Sequence, residues 1–182
     1  VRALRPGVSV SIGLLDHGPP YVSDVRPGTV AVPLLLSSGY HVRVDLPAQA
    51  PHAVVTAAVG PDPRLCVALA DRLAEAGYGG AGAVVLAAAG SADARSRADV
   101  ATQGRLLAEH LGVGVTVAYV AAGEPKLADV EADVVATYLL APGHFHDAIR
   151  ACGATVVGAP LGDHPALAEV VLARYDPATL SS

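Results

Sequence analysis

The chain has 182 residues, of which 52% are apolar and 16% charged, and its net charge is −5. So much apolar surface with so little like-charge repulsion excludes a disordered chain, and 12 Lys and Arg without a basic run argue against a nucleic-acid partner. The longest apolar stretch, residues 79–90, is about half of what a membrane-spanning helix needs, so no membrane partner is expected.

Residues 8–15, 30–36 and 53–58 are short apolar runs, the pattern of parallel strands buried on both faces. Leu65, Leu69 and Leu73 follow at helical spacing, and Gly77 is placed to stop that helix. Residues 83–88 read as the next strand. The spacing then predicts a helix over 96–111, ending at Gly112. Residues 113–120, 134–140 and 154–159 read as strands, and 165–175 as a closing helix. Strands alternating with helices predict an α/β fold with parallel sheets flanked by helices.

The chain carries this design twice. At an offset of 105, Val8, Val10, Gly18, Pro20, Asp24 and Val25 meet identical residues at Val113, Val115, Gly123, Pro125, Asp129 and Val130. Residues 30–39 match 134–143 at an offset of 104, and 59–65 match 161–167 at 102. The expected lobes are residues 1–76 and 77–182, with their boundary near 76–82. Residues 1–7 align with 106–112, so the first copy starts in mid-helix, and its first strand and most of its first helix are expected upstream of Val1. The absence of any Met agrees with a processed or truncated N-terminus. The links 25–30 and 130–134 look too short for a parallel crossover of about 10–12 residues, so a helix is expected to be missing from each.

Cys66 and Cys152 lie in apolar patterns without metal spacing. They read as buried free thiols of a reducing compartment, and with no signal peptide in view the expected location is cytoplasmic.

Polar residues of one copy that are apolar in the other are the candidates for chemistry. Asp16 and His17 follow a predicted strand, where the second copy has Ala121 and Ala122. His41 follows another, where the second copy has Phe145. Open parallel sheets place ligands at such carboxyl ends. An imidazole with a carboxylate can bind a divalent ion or move a proton near neutral pH. His17 is the weaker of the three, since it points away from Asp16 if the strand persists. His144 and His146 form an H-x-H that reads as a helix start. His164 reads as a helix N-terminus with Asp163 as the cap, and His52 and His110 as surface residues. The Gly-rich residues 78–91 have no Walker lysine and precede a strand, so a phosphate loop is not supported, nor is there a G-x-S-x-G.

Several motifs resemble those of the sirohydrochlorin chelatases, the class II tetrapyrrole chelatases. They are LLDHGPPYVSDV (14–25), VPLLLSSGYHVRVDLP (32–47), VVLAAAGS (84–91), YLLAPGHFHD (138–147) and GAPLGDHPALAEVVLARYD (158–176). The G-x-H-x-x-x-D-x-P pattern from Gly39 to Pro47 is the most specific of them. The resemblance implies two similar chelatase-like lobes with a tetrapyrrole-sized cleft between them. It implies that His41 and Asp16 are catalytic and hold the metal, and that Arg43, Ser37 and Ser38 bind substrate, with Arg26 a second, weaker cation. A further family histidine stands in an A-H-G-S motif after a first strand. The second copy has Ala89 there, so residues 77–182 read as a degenerate repeat and residues 1–76 as the lobe with the active site.

The implied partners are sirohydrochlorin and a divalent metal substrate, Fe2+ in preference to Co2+, with no tightly bound cofactor. The alternatives are a cobaltochelatase of cobalamin synthesis and a non-catalytic metal- or tetrapyrrole-binding module on the same fold. A nucleotide-binding enzyme would need the phosphate loop that the chain lacks.

Overall fold

The computed structural model describes residues 1–16 and 18–180. Two parallel sheets form. In the first, β1 (Val30–Ala31) pairs with β2 (Val54–Val55). Between them a wide helical turn, His41–Asp45, runs into the short helix α1 (Leu46–Gln49). Helix α2 (Arg64–Glu75) follows and buries Leu65, Leu69 and Leu73 on one face. Gly77, with φ of 94°, takes the left-handed conformation just past its end.

The second sheet holds β3 (Val84–Ala88), β4 (Val115–Tyr119), β5 (Val134–Tyr138) and β6 (Val156–Val157) in the order β4-β3-β5-β6, every pair parallel. Every residue of β3 and β5 is buried, which explains the unbroken apolar sequence of β3 and the apolar run of β5 up to Thr137. The helices are α3 (Ala94–Leu111), capped by the Asp93 carboxylate and ended by left-handed Gly112, then α4 (His144–Arg150) and α5 (Pro165–Leu180).

The internal repeat is realised in geometry. Val30 pairs with Val54 as Val134 pairs with Val156. Leu14 bridges Tyr21 as Tyr119 bridges Lys126. The 3-10 turns Val22–Asp24 and Leu127–Asp129 are equivalent, and so are the cis bonds before Pro20 and Pro125. The two closing helices, α2 and α5, pack on each other.

Two expectations are corrected. No helix is missing from the links. The second crossover starts at Tyr119 rather than Val130, so residues 120–133 carry the chain over β3, which is long enough for a parallel connection. In the first repeat the corresponding connection likewise starts at Leu14 rather than Val25 and ends at Val30. Residues 8–15 are not a strand: only Leu14 makes a bridge, and the run 30–36 shortens to Val30–Ala31. A ladder needs a neighbour, and these segments lack one on the side where β3 stands in the second repeat.

Candidate functional site

The carboxyl ends of β3, β4 and β5 open into a cavity of about 210 Å3. The second repeat contributes residues 88–91, Ser96, Tyr119 and 138–140, and the first contributes residues 34–37. Tyr138 anchors the junction: its buried hydroxyl donates to the Leu36 carbonyl at 2.9 Å. The contact passes so close to Gly60 that a Cβ there would overlap the Tyr138 hydroxyl and the Leu36 carbonyl.

Residues 37–43 are fastened to the first half of α3. Ser37 Oγ and Ser96 Oγ are 2.7 Å apart. The Ser38 N–H donates to Asp99 Oδ2 at 2.7 Å. Arg43 donates to Asp93 Oδ2, also at 2.7 Å. Two hydrogen bonds, from the Arg95 backbone N–H and from Arg43, hold the Asp93 carboxyl below its ordinary range. The second repeat therefore serves as the backboard for the segment that carries His41.

His41 begins the wide turn, with the Leu46 N–H reaching back to the His41 carbonyl. Pro47 lies in the following turn. It offers no N–H, and its ring crowds the carbonyl four residues back, which accounts for the widening. Such π-type turns recur at functional sites. The His41 side chain is 57% exposed and its Nδ1 is 2.6 Å from Asp45 Oδ2. An ionised carboxylate only accepts, so Nδ1 carries the proton and Nε2 of the neutral ring keeps its lone pair for a metal or a proton.

Asp45 is the aspartate of the Gly39 to Pro47 pattern, but sequence alone assigned it no role. In helical geometry the four-residue spacing brings the two side chains together. Asp93 was also missed, since nothing local links it to Arg43.

Asp16 is exposed. Among the described residues no hydrogen bond or ion pair joins it to His41, and no group of three or more His, Cys, Asp or Glu is arranged to hold a metal. His17 lies outside the described residues. Arg43 is held by Asp93, whereas exposed Arg26 has no ion pair among the described residues. His144 and His146 sit in the first turn of α4. His164 precedes α5, but its own Nδ1, not Asp163, accepts from the Ala166 N–H, while Nε2 faces Asp71 at 3.0 Å. Cys66 is buried and free, Cys152 half-buried and free. Burial raises the Cys66 thiol to about 11.

Residues 25–76, the segment with β1, the His41 turn and α2, match the CbiX family model. The fold matches SirB from Bacillus subtilis, solved with Fe3+, at TM-score 0.76 and 20% identity over 97% of this chain and 86% of that one. The segment match and the fold are thus both similar to CbiX and SirB chelatases. A second match is CbiX, described as the terminal enzyme for biosynthesis of siroheme in denitrifying bacteria, at TM-score 0.66 and 22% identity over 86% and 80% of the two chains. A third is a multi-domain Deinococcus radiodurans protein with structural similarity to chelatases, at 0.63 and 24% over 86% and 43%. No curated protein matches the sequence. Of the CbiX/SirB features, the parallel sheets flanked by helices are present here. No helix among the described residues is long and apolar enough to cross a membrane.

Proposed function

We propose that this chain is a sirohydrochlorin chelatase, a lyase-class enzyme that inserts a divalent metal, Fe2+ in preference to Co2+, into sirohydrochlorin in the cytoplasm. The observation that carries this reading is the CbiX match over the segment in which His41, backed by Asp45, presents a free Nε2 to solvent. In this reading residues 1–76 form the lobe that acts, and residues 77–182 the repeat that supports it.

Metal insertion removes two pyrrole N–H protons while the ion passes from protein ligands to four ring nitrogens. His41 Nε2 binds the arriving ion or accepts a proton, and Asp45 steadies the resulting charge. Asp16 neutralises the ion and helps strip its water. Ser37, which lines the cavity, and its neighbour Ser38 contact the macrocycle. Arg43 serves a substrate carboxylate by exchanging its Asp93 partner, and Arg26 offers a second cation. The metal enters as substrate, with no resident cofactor in the scheme.

The test is the chain with sirohydrochlorin and either Fe2+ under anaerobic conditions or Co2+, followed by absorbance. A rate above that of the protein-free mixture supports the reading. Tight sirohydrochlorin binding without acceleration by either metal would replace it with the carrier reading, which the Ala89 substitution in the second repeat leaves standing.

A further inference from the structure

The turn that carries His41 sorts its side chains onto distinct sides. Val42 and Leu46 face inward and are buried. Arg43 reaches Asp93 on the second repeat. Two outward rows remain, each spanning one wide turn. His41 and Asp45 form the first and are joined at 2.6 Å. Tyr40 and Val44, one position earlier, form the second and stay exposed, at 59% and 40%. A polar row with a free imidazole nitrogen therefore lies beside an exposed apolar row.

The angle between the rows is defined. The Tyr40 ring meets the His41 ring edge-on, with centroids 6.4 Å apart and planes at 79°. The lone pair of the free imidazole nitrogen lies in the plane of its ring. An ion handed from Nε2 to the centre of a flat macrocycle travels along the macrocycle normal, so the macrocycle stands perpendicular to the imidazole. The Tyr40 ring is close to perpendicular to the same imidazole. Its face can therefore lie along the macrocycle face while Nε2 points at the centre. In the second repeat the offset of 104 puts His144 at the Tyr40 position and Phe145 at the His41 position. Those two rings meet at 51°, so the perpendicular relation is not reproduced there.

We propose that Tyr40, with Val44 beside it, is the platform on which one face of the tetrapyrrole macrocycle rests, and that it makes the site selective for a flat, closed ring. The proposal rests on the sirohydrochlorin reading given above and deepens it. An aromatic ring laid on a flat conjugated surface gains dispersion and apolar burial, while the tyrosine hydroxyl at its far end stays in water. Rim cations recognise carboxylate arms wherever these are attached; the platform reads the shape of the ring that carries them.

The experiment titrates metal-free sirohydrochlorin, and separately a linear tetrapyrrole carboxylate, into the folded chain and reads the absorbance of the pigment; steady-state insertion of Co2+ is then measured. Tyr40→Ala is expected to raise Kd and KM for sirohydrochlorin at least about fivefold, with a smaller fall in kcat. Tyr40→Phe should restore most of the affinity, because the ring and not the hydroxyl makes the contact. Val44→Ser should weaken binding in the same direction by less. The linear tetrapyrrole should bind the parent more weakly than sirohydrochlorin does and be indifferent to Tyr40→Ala. Both positions are exposed, so each variant should keep the parental circular dichroism spectrum. A parental Kd in Tyr40→Ala overturns the platform, and so does a Tyr40→Phe variant as weak as Tyr40→Ala or an equal loss with the linear pigment; insertion by the parent then leaves the chelatase reading in place. A parent that neither binds nor metallates sirohydrochlorin overturns both.

Discussion

His41 Nδ1 and Asp45 Oδ2 lie 2.6 Å apart across a single widened turn. The pair gives the exposed imidazole a fixed orientation and a defined free nitrogen, which a lone surface histidine lacks.

His41→Ala is expected to lower metal insertion at least about tenfold, as general acid–base groups contribute roughly 10²–10⁴-fold. Asp45→Asn should lower it less, because an amide oxygen can still accept from Nδ1 but brings no charge to the arriving ion. His41→Ala should keep the parental unfolding midpoint, since the His41 side chain is mostly solvated. Steady-state rates with Fe2+ and Co2+ check this. A parental rate from His41→Ala would end the assignment.

Asp93 links stability to acid pH. Its carboxyl is depressed by the Arg95 N–H and by Arg43, so it favours the fold fully above the ordinary aspartate value of 3.8. That contribution is lost as the pH falls below this value through the lower folded one. Asparagine still caps a helix but carries no charge. Asp93→Asn should therefore flatten the acid limb of a urea-midpoint profile while leaving helix content unchanged by circular dichroism.

Cys66 acts at the other end of the scale. Burial raises its thiol to about 11, so the fold favours the protonated form. The stability is present in full below the ordinary value of 9.0 and is lost as the pH rises from there through about 11. Iodoacetamide at pH 8 should label half-buried Cys152 in the native chain and reach Cys66 only in denaturant, as peptide mass spectrometry will show. Cys66→Ala should weaken the alkaline loss.

Gly60→Ala tests the junction between the repeats. Its Cβ would displace the Tyr138 hydroxyl from the Leu36 carbonyl, at a cost of about 1–3 kcal/mol in overpacking. Tyr138→Phe should cost a similar amount, about 1–3 kcal/mol, by leaving that carbonyl without its donor. The two effects should add less than fully in the double variant, because both break one contact. Thermal or urea unfolding measures all three.

Sequence periodicity alone placed β3, α3, β5 and α5, since each is a long run whose burial pattern is set by its own residues. The duplication was equally legible, and the paired bridges, turns and cis prolines follow it. His41 stood out by contrast with Phe145. What sequence could not determine was pairing. Residues 8–15 have a strand's composition and are not a strand, because backbone hydrogen bonds come from a neighbour and none stands beside them. The crossover at 120–133 became visible only when β5 was seen on the far side of β3. Likewise, Asp45 reaches His41 only because Pro47 and Gly39 bound a helical turn, and Arg43 meets Asp93 across fifty residues of chain. Composition decides which segments must be buried; only the tertiary arrangement decides which charges and edges find partners, because those contacts are made by residues distant in sequence.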